Sequence, residues 1–357
     1  MGGIMKIKLA LLEKDENYLS RLVSTFGTKY ADKLEIYSFT NKDIAMSTLD
    51  SARIDVLVAS DNFDIDIKKL PKRCGFAYLV DRSDIDTVND QQAICKFQKV
   101  DLIYRQILSI YSEMAVSVSG LKLGDDNCRV IAFTSPSGGV GSSTMAAACA
   151  LYFASKGRKT LYLNFEKFGS SDLFFSADGQ FDMSDIIFTL KSKKANLALK
   201  LESCVRKDQR GVYFYSGSKI ALDMHELTTE EITRLISELK LTGSYDYIIV
   251  DIDFGIKKNM LKLFRQMSSI IWVGDGSSIS NAKLSRAYAA LSLIEQNEDS
   301  PLIKRTGLIY NKFSNKSSNT IDDIEIRTLG GAPRYQHASI EQILSQLSQM
   351  DIFTKIN

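Results

Sequence analysis

Two doubly wound α/β domains are the architecture this sequence predicts, and three observations predict it. Apolar, β-rich runs alternate with amphipathic stretches of helical period along most of the chain, as in βαβ units built around parallel sheets. The alternation breaks at "VSVSGLKLGDDNC", which holds glycines and an acidic turn without useful periodicity and reads as a linker. At 357 residues the chain also exceeds the usual single-domain size. The expected organisation is therefore a first domain over residues 1–115, a linker over 116–128 and a second domain over 129–357.

The first domain opens with "IKLALLEKDENYLSRLVSTF", an apolar strand, a polar turn and a helix with Leu19, Leu22, Val23 and Phe26 on one face. The same unit recurs as "KLEIYSF" with "NKDIAMSTLDSA". The runs "IDVLVAS", "GFAYLVD" and "AICKFQKV" follow, the last leading into "DLIYRQILSIYSEM". Strands alternating with helices in this way predict a doubly wound sheet.

Composition excludes several classes. Hydrophobic residues make up 45% and charged residues 25%, and 45 basic residues nearly balance 43 acidic ones, so no overall field favours nucleic acid or an anionic membrane. Five widely spaced cysteines, mostly in apolar runs, predict buried free thiols in a reducing compartment. The start of the chain lacks a signal-peptide pattern and the run "MAAACALYFA" is too short to cross a bilayer, so a cytoplasmic protein without integral membrane association is expected.

The second domain starts with the strand "RVIAFTS", continues through the glycine-dense "SGGVGSST" and enters a helix of small and apolar residues. Strand, loop and helix stand in the order a phosphate-binding loop requires. Gly138, Gly139 and Gly141 let backbone N–H groups turn inward, and the helix N-terminus adds partial positive charge. Val140, Ser142, Ser143 and Thr144 complete the candidate cradle, with the Ser143 hydroxyl at the position that coordinates Mg²⁺. "SYDYIIVDIDFG" is a β-branched strand ending in Asp251, whose carboxylate would reach the same ion through water. Asp253 is either a second acidic group near the phosphates or a helix cap. "KTLYLNFEKF" supplies Asn164 and Glu166, and "RTGLIYNKFS" puts Asn311 near the end of a late strand, where open α/β sheets bind ligands.

These residues carry two resemblances. The first domain resembles the receiver domains of response regulators, with altered site positions: Glu13, Lys14 and Asp15 stand at the acidic pair, Ser60 at the phosphoacceptor and Lys99 at the receiver lysine. It reads as a degenerate receiver kept for contacts, the alternative being a phosphoacceptor at Asp61. From about residue 129 onward the chain is similar to the ParA/MinD superfamily of deviant-Walker ATPases, whose loop K-G-G-x-G-K-[ST]-T matches "SGGVGSST" except that Ser137 and Ser142 replace both lysines. The family's D-x-D strand appears as "LNFE", which makes Glu166 the hydrolysis-linked acid beside Asp251. Its adenine-recognising asparagine corresponds to Asn311 in "NK", and its base-proximal proline loop to "GAPRYQ", with Pro333 and Tyr335.

A receiver-like domain joined to such a domain, with "GVYFYSG" and "LTTEE" before the Walker B strand, resembles the TadZ/CpaE family. That resemblance implies ATP and Mg²⁺ binding, homodimerisation, contact with Tad (Flp) pilus or secretion components and placement at a cell pole. Without the lysines, binding should weaken by roughly 1.5–3 kcal/mol per lost charge-assisted bond. Hydrolysis should fall further, by about 10²–10³. Lys167, beside Glu166, could bring a cation back, which would make the protein an active ATPase.

The competing functions are an active ParA-type ATPase in DNA or cargo partitioning and a membrane-cycling switch. The first requires a basic face, for which "KSKKANLALK" is the best run, more simply read as a solvated helix. The second requires a basic amphipathic C-terminal helix, whereas "IEQILSQLSQMDIFTKIN" has one lysine. No nucleic acid partner is expected. His225 and His337 read as surface residues, Trp272 as core, and Thr228 with Glu231 as a capping box.

Overall fold

The computed structural model describes residues 6–114, 128–169, 171–192, 196–296 and 301–356. It divides into two compact units that are not consecutive blocks. The first is Met1–Leu121 together with Phe188–Cys204, and the second is Lys122–Ile187 together with Val205–Asn357. The expected linker lies almost wholly outside the described residues.

In the first unit, β1 (Ile7–Leu12), α1 (Glu16–Lys29), β2 (Leu34–Phe39), α2 (Lys42–Ser51), β3 (Val56–Ser60) and β4 (Gly75–Val80) follow the expected alternation. The connections after β3 and β4 hold no α-helix. A 3-10 turn, Ile67–Lys69, joins β3 to β4, and a short hairpin of β5 (Thr87–Val88) with β6 (Gln91–Cys95) follows β4 before α3 (Val100–Met114). Sheet order is β2-β1-β3-β4-β6-β5, parallel except for the hairpin. The strand period of two sorts side chains to opposite faces. Leu9 and Leu11 join the core that includes Phe26 of α1 and Ile107 of α3, whereas Ala10 and Leu12 join the one that includes Leu49 of α2. Asp15 and Asn41 cap α1 and α2 by accepting from backbone N–H groups of the first turns.

The second unit begins with β7 (Arg129–Thr134), α4 (Ser142–Ser155) and β8 (Thr160–Asn164). α5 (Met183–Ser192) and α6 (Leu197–Cys204) come next in the chain, and α6 falls in the first unit. There Leu199 packs on the core of that unit, the Asn196 N–H donates to the Ser112 carbonyl and the buried Lys200 ammonium donates to Ser109 Oγ at 2.9 Å. The basic run is therefore no solvated helix at Lys200, and residues 193–195 lie outside the described residues.

After β9 (Arg206–Lys207), β10 (Tyr213–Phe214), α7 (Ala221–Glu226) and α8 (Thr229–Leu241) come β11 (Tyr247–Asp251), α9 (Lys258–Phe264), β12 (Ser269–Gly274) and α10 (Ser278–Glu295). The unit ends with β13 (Thr306–Phe313), β14 (Arg327–Pro333) and α11 (Ile340–Leu347). Its sheet runs β14-β13-β12-β7-β11-β8-β10-β9, parallel apart from β9. Buried from Met145 to Phe153, α4 is apolar all round because it lies inside the unit's core, where Leu344 and Leu347 of α11 also sit. The apolar face of α11 is thus already occupied. The Thr228–Glu231 capping box opens α8 as expected, all five cysteines are buried and outside any disulfide, and Trp272 is core. Among the described residues no helix is long and apolar enough to cross a membrane.

Candidate functional site

Both sheets place polar groups at the carboxyl ends of their parallel strands, the usual ligand edge of such folds. In the first unit Glu13, Asp81 and Lys96 each directly follow a strand. The Lys96 ammonium lies 2.8 Å from Glu13 Oε2 and 2.9 Å from Asp81 Oδ1, with the Lys96 and Glu13 side chains buried. Burial works against the ammonium, but the two carboxylates outweigh it and hold its pKa above that of ordinary lysine. Lys96, which leaves β6 directly, thus sets its ammonium between these carboxylates, whereas the sequence candidate Lys99 stands just before α3. Ser60 ends β3 fully buried, and Asp61 is exposed just beyond it.

In the second unit the candidate loop spans β7 and α4. Ser135 Oγ donates to the Val273 carbonyl at 2.6 Å and accepts from the Ser137 N–H at 3.0 Å, which fixes the entrance to the loop. Gly139 and Gly141 have φ of +77° and +87°, conformations that favour glycine, and Gly141 is the N-cap of α4. A Cβ on Gly138 or Gly139 would meet nothing within 4 Å, so the cradle is open where an anion would sit. Residues 137–144 together with Glu166, Ile252, Asp253 and Phe254 line a cavity of about 270 Å³.

The acids are held by their strands. Parallel register sets Asp251 of β11 opposite Asn164 of β8, and Tyr162 lies two residues before Asn164 on the same face. Asp251 Oδ2 accepts from the Tyr162 hydroxyl and from Asn164 Nδ2, each at 2.9 Å, whereas its Oδ1 is buried without a partner. Burial, and then the charge of Glu166, push the Asp251 carboxyl well above the usual carboxylate range. Burial and the adjacent Asp251 raise the Tyr162 hydroxyl, keeping it a donor. Glu166 Oε2 accepts from Ser143 Oγ at 3.0 Å. Tyr162 was missed in the sequence, although its two-residue offset from Asn164 was the available signal.

The remaining sequence candidates are placed differently. Asn311 is buried and its Nδ2 donates to the Val140 carbonyl at 2.8 Å, so it touches the loop itself. Pro333 ends β14 and Tyr335 packs against the core, and neither lines the cavity. The Lys167 side chain is exposed and off the cavity wall; only its backbone N–H approaches, donating to Asp253 Oδ2 at 3.3 Å. Asp253 lines the cavity, and it caps no helix, since the N-cap of α9 is Lys257. His225 and His337 are exposed, His225 lying edge-on to Phe168 with ring centroids 4.8 Å apart.

No lysine or arginine lines the cavity among the described residues, whereas Glu166 and Asp253 do. Nor do three His, Cys, Asp or Glu side chains converge there to hold a metal by themselves. The residues nevertheless fit a Mg²⁺–phosphate group. The glycine cradle is open, Ser142 Oγ and Asp251 Oδ1 are buried without partners, and Mg²⁺ is commonly held by one or two carboxylates plus ligand phosphates.

Comparison with known proteins finds relatives of both units. Residues 5–112 match the family model described as "TadZ-like, receiver domain". The flagellum site-determining protein YlxH of Helicobacter pylori is 23% identical over 249 residues, covering 64% of this chain and 79% of that protein. The septum site-determining protein MinD of Escherichia coli K12 is 28% identical over 136 residues, 37% of this chain and 47% of MinD, so that match spans under half of the relative. A ParA family ATPase from Chlorobium tepidum superposes with a TM-score of 0.52 at 21% identity, covering 65% of this chain and 97% of that one, and shows the same fold. Residues 5–112 are thus similar to TadZ-like receiver domains, and the second unit has the fold of a ParA family ATPase.

Proposed function

We propose that the protein is a nucleotide-binding localisation and assembly factor of a Tad (Flp) pilus or related secretion system, acting in the cytoplasm at a cell pole. In this reading Mg-ATP binds the loop at residues 137–144 and stabilises a homodimer, with hydrolysis weak or absent. The observation that carries the proposal is a cavity of about 270 Å³ walled by an open glycine cradle at the N-terminus of α4 and by carboxylates, with no cation on its wall among the described residues.

Bound Mg²⁺ would supply the positive charge that the loop lacks and offset the phosphates. The chain's own groups do the rest. Backbone N–H groups of the loop and Ser142 Oγ would donate to phosphate oxygens, and the N-terminus of α4 adds its dipole. Ser143 and Asp251 would hold the ion, the latter through water. Glu166 would orient a water molecule for attack, but with the loop lysine absent the developing charge loses a preorganised donor, an effect of about 10²–10³ on rate. Phe168, Ile220 and Leu222 are exposed apolar side chains, a property that suits a surface covered by a second copy.

The testing experiment is calorimetric titration of Mg-ATP into the full chain, with sedimentation in the presence and absence of nucleotide. The expected result is binding accompanied by a monomer-to-dimer shift. No binding at millimolar ATP, or a turnover on the order of 10⁻² s⁻¹ or above, which suits a slow switch NTPase, would overturn the proposal.

A further inference from the structure

Adjacent residues of a regular strand point to opposite faces, yet Asn311 and Lys312 of β13 both reach the loop. Asn311 Nδ2 donates to the Val140 carbonyl and Lys312 Nζ to the Gly139 carbonyl, each at 2.8 Å. The pairing of β13 with β14 shifts register between Tyr310 and Phe313, and Lys312 has φ of +55°. Such irregularities re-aim side chains, and a left-handed lysine is a costly conformation of the kind retained at functional sites.

We infer that Asn311 and Lys312 form a brace that keeps the lysine-free loop in its anion-accepting shape and strengthens its donors. A nest that turns N–H groups inward leaves its carbonyls needing partners outside. Here the carbonyls of two successive peptide units are capped, one by a buried amide and one by an ammonium. The N–H groups in those peptide units belong to Val140 and Gly141. A capped carbonyl polarises its own peptide and makes that N–H a better donor. Part of the missing lysine's charge thus acts through the backbone rather than in the cavity. Gly141 fits the same design, because a Cβ there would stand 2.4 Å from Asn311 Nδ2. Asn311 and Lys312 are positioning residues in this account, which rests on the reading of the loop as a phosphate site.

Two measurements on the full chain test it. The first is hydrogen exchange of peptides covering residues 135–145 without nucleotide. The second is titration with Mg-ATP and, separately, with magnesium and inorganic triphosphate, which has no base. Lys312→Met should speed loop exchange by about threefold to tenfold and weaken both ligands by a similar factor, with Lys312→Arg restoring most of each. Exchange in α8 and in the first unit should stay unchanged. Asn311→Ala should weaken inorganic triphosphate as much as ATP. Unchanged loop exchange in Lys312→Met overturns the brace, as does loss of ATP but not triphosphate affinity in Asn311→Ala, which would assign that amide to the base. Lys312 is exposed, so its variants remain informative if Asn311→Ala does not fold. If the unaltered chain binds neither ligand, the functional proposal fails, and the exchange comparison still decides whether the brace exists.

Discussion

In the first unit Glu13 and Asp81 meet at the carboxyl ends of β1 and β4, and Lys96 at the end of β6 closes an ion-pair cluster between them. In the second, Glu166, Asp251 and Asp253 gather at the ends of β8 and β11, and among the described residues no ammonium or guanidinium lines the cavity that Glu166 and Asp253 wall. The two pockets occupy the same kind of place in the same kind of sheet. One carries its own counter-ion, the Lys96 ammonium. The other leaves buried oxygens unpartnered at Asp251 and Ser142. In the first the charge of the carboxylates is offset from within, whereas in the second a counter-charge would have to arrive with the ligand.

Removing the first pocket's cation should have the largest effect. Lys96→Met strips the buried Glu13 carboxylate of its counter-ion, leaving it only the Lys14 and Asp15 backbone N–H groups, and should cost about 3–5 kcal/mol of stability in urea unfolding, with Glu13→Gln in the same chain recovering most of it. A loss below about 1 kcal/mol would show that water reaches Glu13 and that the two pockets differ less than their geometry indicates.

Withdrawing the second pocket's cation comes next. Chelating Mg²⁺ should lower ATP affinity by about 10–100-fold, the worth of a charge-assisted contact. Equal binding with and without Mg²⁺ would break the comparison. Giving the second pocket a cation of its own, by Ser142→Lys, should raise ATP affinity by about tenfold and soften the Mg²⁺ dependence in the same titration.

Asp251→Asn should have the smallest effect, and of opposite sign on stability and binding. A carboxyl whose folded pKa is raised holds its proton more tightly in the folded chain. Its contribution to stability is whole below the unfolded carboxylate value of about 3.9 and declines as pH rises towards the folded value. The variant should remove that decline and lift the Tm at neutral pH by about a few degrees, while weakening Mg-ATP binding. In the unaltered chain, Mg-ATP binding should release a proton and strengthen with rising pH, because a ligating carboxylate must be ionised. Titration in buffers of different ionisation enthalpy reads that proton.

Much of the site was legible because it is local. Residues 137–144 form one contiguous run in which glycine spacing and the strand-to-helix change carry the meaning, and Asp251 terminates a run of β-branched residues. Lys96 was not legible. The resemblance to receivers drew attention to Lys99, but the ammonium set between Glu13 and Asp81 depends on where β6 ends, at Cys95, which the apolar run "AICKFQKV" does not mark.

The sequence by itself determined two α/β units with receiver and ParA/MinD likeness, the order of strand, loop and helix at the cradle and the absence of its lysines. These follow from periodicity and adjacency, which are properties of neighbouring residues. Only the tertiary structure decided that Phe188–Cys204 belongs to the first unit, that Lys96 neutralises Glu13, that Tyr162 and Asn164 hold Asp251, and that Asn311 and Lys312 cap the loop's carbonyls. Each of those contacts joins residues far apart in the chain or depends on strand register and a local bulge, and a linear pattern carries no information about which distant groups a register brings within 3 Å.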